Sequence, residues 1–109
     1  YKPVNTVFAR ILEMFGEEVA FYPLVKSGEE SIYGNPVEIK AIVNSMSAEE
    51  VVLEPGWIEI ERIKVYVFSP IRNRDKIEWK GKPYEVGPVQ DYSFKGETVY
   101  RAAVCRRLT

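Results

Sequence analysis

The sequence predicts a mainly β domain, a small antiparallel β-barrel or sandwich with a short N-terminal helix. Two observations carry that expectation. Apolar and polar residues alternate with period 2 along most of the chain beyond the first turns, and Gly-, Pro- or Asn-containing stretches punctuate the alternation at hairpin spacing. Short strands that hairpins can join close most economically into a barrel or sandwich. At 109 residues the chain has room for one domain with a modest core, and no repeat, low-complexity tract or linker divides 1–109.

The most legible stretch is DKIEWKGKPYEVGPVQDY, Asp75 to Tyr92. Ile77 and Trp79 alternate with Lys76, Glu78 and Lys80, and Tyr84 and Val86 resume the alternation around Glu85. This predicts a hairpin over about 75–89, with Gly81 supplying positive φ at the first central position of a type II′ turn, Gly81-Lys82. Pro83 has no N–H and should fall where the ladder needs none.

In chain order, Asn5 or Thr6 can cap a helix over about 5–16 whose apolar residues Val7, Phe8, Ile11, Leu12 and Phe15 recur at helical spacing, with Gly16 placed to end it as a C′ residue. So short a helix needs its apolar stripe buried against the sheet or a neighbouring subunit. Glu18 to Val25 reads as extended, with Pro23 marking an edge or bulge, and 26–36 as a loop or wide hairpin. Val37, Ile39, Ala41 and Val43 mark a strand to about Ser45 or Met46, and Ile63, Val65 and Val67 mark another, opposite Lys64, Tyr66 and Phe68. After a turn at Lys95-Gly96-Glu97, Thr98 to Leu108 forms the last strand, with Tyr100, Ala102 and Val104 on one face and Val99, Ala103 and Cys105 on the other.

The stretch 47–62 fits least well and reads as a long loop. Ser47 with Glu50 is a capping-box signal for a helical turn through Val51 and Val52, which Pro55-Gly56 would stop. Beyond it Trp57, Ile58 and Ile60 alternate only partly with Glu59 and Glu61. The apolar phase shifts between Ile60 and Ile63, which implies a bulge or two separately paired pieces. A long loop carrying Glu49, Glu50, Val51, Val52, Leu53, Glu54, Trp57, Ile58, Glu59 and Ile60 in so small a chain is a candidate functional segment, because its apolar residues need a partner.

Composition argues against catalysis. Histidine is absent, so the usual general base near neutral pH is missing, and the lone Cys105 has neither a disulfide partner nor an activating imidazole. One thiolate without imidazole cannot make a tetrahedral zinc shell, and no DxDxDG, GxGxxG, P-loop or GxSxG sequence occurs. Pairs such as Glu49-Glu50 and Glu59/Glu61 lie without rigid flanking signals. A non-enzymatic protein without cofactor or metal is expected. With no apolar run near the roughly 20 residues of a membrane span and no signal peptide, it is expected to work in solution inside a cell.

The net charge is −1, but unevenly spread. Glu49, Glu50, Glu54, Glu59 and Glu61 crowd one segment, and Arg72, Arg74, Lys76, Lys80 and Lys82 the next. Solvated faces explain most such clusters; the sharper reading is an acidic and a basic surface that meet in an assembly. Aromatic residues including Tyr22, Tyr33, Tyr66, Trp79, Tyr92 and Tyr100 could form a base-stacking platform, with Lys76, Lys80, Lys82, Arg101, Arg106 and Arg107 tracking phosphates, as in a single-stranded nucleic-acid-binding barrel. Core packing and cross-strand pairing explain them more simply.

As an ordered set these pieces resemble the small head-completion, or head-to-tail joining, proteins of tailed phages, the stopper group beneath the portal and adaptor. The resemblance covers nearly the whole chain: FGEEV from Phe15, YGNPVEIKAIV from Tyr33, SMSAEEV from Ser45, IKVYV from Ile63, then the hairpin. The phrase D-x-I-x-x-x-G-K-x-Y-x-V is filled by Asp75, Ile77, Gly81, Lys82, Tyr84 and Val86. It departs from the pattern after Leu53, where PGWIEIER stands in place of a more polar stretch. The resemblance implies a structural virion protein in the neck, made in the host cytoplasm, that forms a ring of its own copies. Its implied partners are the portal or adaptor, a tail protein and double-stranded DNA held without sequence specificity. It also implies a channel-closing loop at 47–62. A tail-terminator or adaptor protein of the same neck is the neighbouring alternative.

Overall fold

The computed structural model describes residues 4–26, 31–53 and 56–108. Helix α1 spans Val4–Phe15, followed by strands β1 Glu17–Tyr22, β2 Leu24–Lys26, β3 Ile32–Tyr33, β4 Val37–Leu53, β5 Gly56–Val67, β6 Lys76–Trp79, β7 Lys82–Phe94 and β8 Glu97–Arg107. Six strands close an antiparallel barrel in the order β1-β4-β5-β8-β7-β6, sealed where Ala20, Phe21 and Tyr22 of β1 pair with Glu78, Ile77 and Lys76 of β6. The expected class therefore holds, as a barrel and not a sandwich.

Alternation decides which residues fill it. Ile63, Val65 and Val67 of β5 are buried together with Val19, Ala41, Ile77, Tyr84, Val86, Ala103 and Cys105. The lumen is thus packed with side chains, as a barrel of few strands should be. Helix α1 lies outside against β8 and β4, and Leu12 is the buried contact of its apolar face. It begins at Val4, so Asn5 and Thr6 fall inside its first turn and do not cap it. Gly16 closes the far end by donating to the Leu12 carbonyl at 2.8 Å.

Several local expectations shift by a residue or two for identifiable reasons. The hairpin turn is Lys80-Gly81, not Gly81-Lys82, because Trp79 pairs with Lys82. Both turn residues have positive φ, 53° and 74°, which is the type I′ signature rather than type II′. Lys95-Gly96, with φ of 50° and 80°, repeats it between β7 and β8. Pro23 ends β1 and passes the chain to the separate β2–β3 pair, where its carbonyl accepts the Gly34 N–H at 2.7 Å. In β7 the register skips between Val86 and Val89, so Gly87 and Pro88 bulge opposite Val104. A Cβ on Gly87 would stand 2.6 Å from the Val104 carbonyl oxygen, so only glycine fits.

Asp75 ties these parts together and is the buried charged residue of the core, 1% exposed. Its Oδ1 accepts the Leu24 N–H and its Oδ2 the Arg72 N–H, each at 2.8 Å. Its own carbonyl accepts from Val86 at 2.8 Å, and Arg74, in the left-handed region at φ 77°, donates to the Val86 carbonyl at 2.7 Å. One carboxylate thus fixes the start of β2 and the connection into β6.

Asp75→Ala leaves two backbone donors without acceptors and should cost about 2–4 kcal/mol. Asp75→Asn, which can accept only one of them, should lose a smaller part of that. Urea unfolding should show both as lowered midpoints at unchanged slope. Burial pushes the Cys105 thiol up to about 12, so it stays protonated in the folded state. The unfolded thiol ionises first, so this contribution to stability is intact below about pH 8.5 and is lost progressively as pH rises from there towards the folded value. Native protein should resist thiol reagents at neutral pH until denatured, and Cys105→Ala should have a shallower alkaline loss of stability than the parent.

Candidate functional site

The segment that reads as a loop is neither a loop nor a helical turn. It is the distal half of a long hairpin, β4 and β5, whose strands continue past their other neighbours in the barrel wall. Within the barrel, β4 pairs with β1 only over Val37–Ala41, and β5 pairs with β8 only over Arg62–Val67. Beyond Met46 and Arg62 the two strands pair, among the described residues, with each other alone: Glu49 with Ile60, Glu50 with Glu59, Val51 with Ile58, Val52 with Trp57 and Leu53 with Gly56. Val, Ile and Trp favour a pleated ladder, and pairing along the whole length outweighs the local capping-box preference at Ser47. The register skips between Met46 and Glu49, which puts Ser47 and Ala48 opposite Glu61. The phase shift seen in the sequence is therefore a bulge, and it lies on β4.

Of the candidate residues, Glu49, Glu50, Val51, Val52 and Leu53 stand on β4 and Trp57, Ile58, Glu59 and Ile60 on β5, while Glu54 lies outside the described residues. Paired residues share a face of a pleated ribbon and successive pairs alternate. In the backbone register Glu50 is opposite Glu59 and Val52 opposite Trp57. Two glutamates directly opposite repel one another. A ribbon of two strands with both outer edges unpaired is marginal alone, and such edges are templates for pairing with another chain. The molecule measures 58 × 30 × 26 Å. The 17 residues of β4, at about 3.3 Å each, come close to the length of its long axis.

The root of this arm is anchored by residues that the sequence reading did not single out as a group. Glu61, next to Ile60, accepts from Arg107 Nη1 at 3.1 Å and from the Tyr84 hydroxyl at 3.4 Å, with Lys82 Nζ at 3.8 Å. Burial, with the neighbouring Glu61 carboxylate adding to it, pushes the Tyr84 phenol up. A cleft of about 280 Å³ opens beside the root between Met46, Ile63, Trp79 and Tyr84. Sequence spacing could not have found this cluster, because its members come from β5, β7 and β8.

A second surface is left unfilled. Phe8 and Leu12 face the barrel, but Val7, Ile11, Met14 and Phe15 are 52%, 41%, 75% and 67% exposed. Their spacing of i, i+4, i+7 and i+8 makes a continuous apolar stripe on the outer side of the helix.

The aromatic residues are largely committed within the chain. Tyr100 is stacked between Phe8 at 5.1 Å and Tyr92 at 4.6 Å, so the helix occupies the platform a base would need. Lys76 sits over the Tyr22 ring at 4.4 Å and Lys80 over Trp79 at 4.6 Å. Among the described residues no group of carboxylates and thiol is placed to hold a metal ion, and no helix is long and apolar enough to cross a membrane.

No protein-family model matches the chain, and no curated protein matches it. Solved structures do. The chain is similar to one in the virion of a native gene transfer agent particle, with 12% identity, a TM-score of 0.65, and 84% of this chain and 94% of that one covered. It is also similar to the protein XkdH of the phage-like element PBSX from Bacillus subtilis, with 15% identity, a TM-score of 0.53, and coverage of 84% and 93%. The chain shares the fold of these two proteins over nearly their whole lengths.

Proposed function

We propose that this chain is a structural virion protein of a phage or prophage head-tail connector, a ring beneath the portal or adaptor that retains packaged DNA and offers the tail its docking surface. The observation that carries the reading is the arm: two strands that leave the barrel and, past Met46 and Arg62, pair only with each other. An apolar ribbon with free edges gains most from copies of itself, and a closed ring supplies them without leaving an open end. The similar fold of a chain in a gene transfer agent virion and of a phage-like element protein supports the same class. So does the packed barrel lumen, which leaves no passage through one subunit and directs any DNA path between copies. The exposed helix stripe is a further surface for a protein partner, either the portal or adaptor above or a tail protein below.

In such a ring Val51, Val52, Leu53, Trp57, Ile58 and Ile60 pack against the arms of neighbours. Glutamates at 49, 50, 54 and 59 that face the channel repel the phosphate backbone, so DNA is held back without adhering and without sequence preference. The role is mechanical, with no bond made or broken.

Incubation with purified portal complexes should add one ring of density by electron microscopy, and portals that stay bare contradict the reading. Removing Glu49 to Glu59 and rejoining the strands through a short Gly-containing turn should leave the barrel's unfolding free energy within about 1 kcal/mol of the parent, since the ladder pairs lost are between the two arm strands alone. Filled heads assembled with that variant should leak DNA; heads that keep it rule out the arm as the closure.

A further inference from the structure

Strand β1 closes the barrel between β4 and β6, but it is too short to do so along their whole length. Its first residue, Glu17, pairs with Ala41, and its pairing with β6 begins at Ala20 opposite Glu78. Before Glu17 the chain turns away into α1, closed where Gly16 donates to the Leu12 carbonyl. Strand β4 runs on without it. Ile42 to Met46 keep β5 on one side, and among the described residues none pairs with them on the other. Trp79, the last residue of β6, pairs with Lys82 of β7 and, among the described residues, with none of β1. The wall therefore has a slot on the line β1 would have followed, two strand spacings or about 9.5 Å across.

The slot opens into the cleft at the root of the arm. Ser45 and Met46 form one bank and Trp79 and Lys80 the other, with Ile63 and Tyr84 between them. Ala41 and Val43 point to the core, so a strand laid against β4 would turn its residues opposite Val43 and Ser45 towards that floor. The rim is cationic: Lys80 is exposed, and the Glu61 carboxylate is already engaged by Arg107 and Lys82. We propose that the slot receives an extended, acidic segment of a protein partner, which adds to β4 over Ile42–Met46 in the place β1 leaves open. Backbone hydrogen bonds to the unpaired edge supply affinity, and apolar side chains opposite Val43 and Ser45 cover Ile63, Trp79 and Tyr84. Acidic neighbours meet Lys80 and Lys82 and speed the encounter. A nucleic acid satisfies the basic rim but offers the edge no strand. The site is complete in one molecule, so it stands apart from the ring.

Capped octapeptides in which glutamate alternates with valine, leucine or phenylalanine test it, titrated into isotope-labelled protein. At least one should bind with a Kd below about 1 mM, shift the Trp79 indole N–H, assigned against Trp57→Phe, and slow amide exchange over Ile42–Met46. Methylating the backbone nitrogens on the peptide edge that faces β4 should weaken binding at least about tenfold, which contact through side chains alone would not do. Lys80→Asn with Lys82→Gln, confirmed as folded by thermal melting, should weaken it at least about threefold and flatten its salt dependence. Peptides that leave Ile42–Met46 unchanged overturn the proposal, as do methylated peptides that bind as well as their parents. Oligothymidylate that protects the same amides more strongly would make the slot a nucleic-acid site instead. Protection that grows with protein concentration alone would assign it to a second copy of this chain; either result contradicts the proposal.

Discussion

Two backbone N–H groups, from Leu24 and Arg72, end in the interior on the two oxygens of Asp75. A buried carboxylate is tolerable only when its lone pairs are used, and here strong charge-assisted bonds use them. The consequence spreads outward. With the connection before β6 pinned, Ile77 enters the core, β6 can close the barrel against β1, and the Lys80-Gly81 turn sets the register of β7. A closed barrel leaves no free edge in its own wall. The strand edges left unpaired in the described structure therefore include those of the arm, where β4 and β5 outrun their neighbours.

That contrast separates the part of the molecule that folds from the part that reaches. The residues of the D-x-I-x-x-x-G-K-x-Y-x-V phrase divide the structural work: Asp75 pins, Ile77, Tyr84 and Val86 fill, Gly81 turns, and Lys82 joins Tyr84 around Glu61 at the root of the arm. None of them needs a binding role to account for its chemistry. The arm is the opposite case, since past Met46 and Arg62 its two strands pair, among the described residues, only with each other. The stripe at Val7, Ile11, Met14 and Phe15 is exposed on the helix.

The barrel strands were legible because one face of each is buried, which imposes period 2 on Ile63, Val65 and Val67 or on Ala103 and Cys105. The arm hid because strict alternation lapses there: Val51 and Val52 are adjacent and Trp57 and Ile58 are too, and a capping-box signal at Ser47 is left unopposed locally. Both turns were found but one was misplaced by a residue, since Gly81 suits either central position and only the Trp79–Lys82 pairing decides. Glu61 carries no local signature, because its partners Tyr84, Lys82 and Arg107 come from strands distant in sequence. The uneven spread of acid and base was visible from the start, and the two groups meet where Lys82 approaches Glu61.

The central claim is that the arm is incomplete in one molecule and completed by others. Amide hydrogen exchange tests it most directly, comparing the free protein with the ring bound to portals. The amides of 49–53 and 56–60 should exchange fast in the free chain and become protected in the ring, while Val65 and Cys105 in the barrel stay protected in both. Arm amides equally slow in both states would mean that the ribbon is already satisfied within its own subunit, and the account would be wrong.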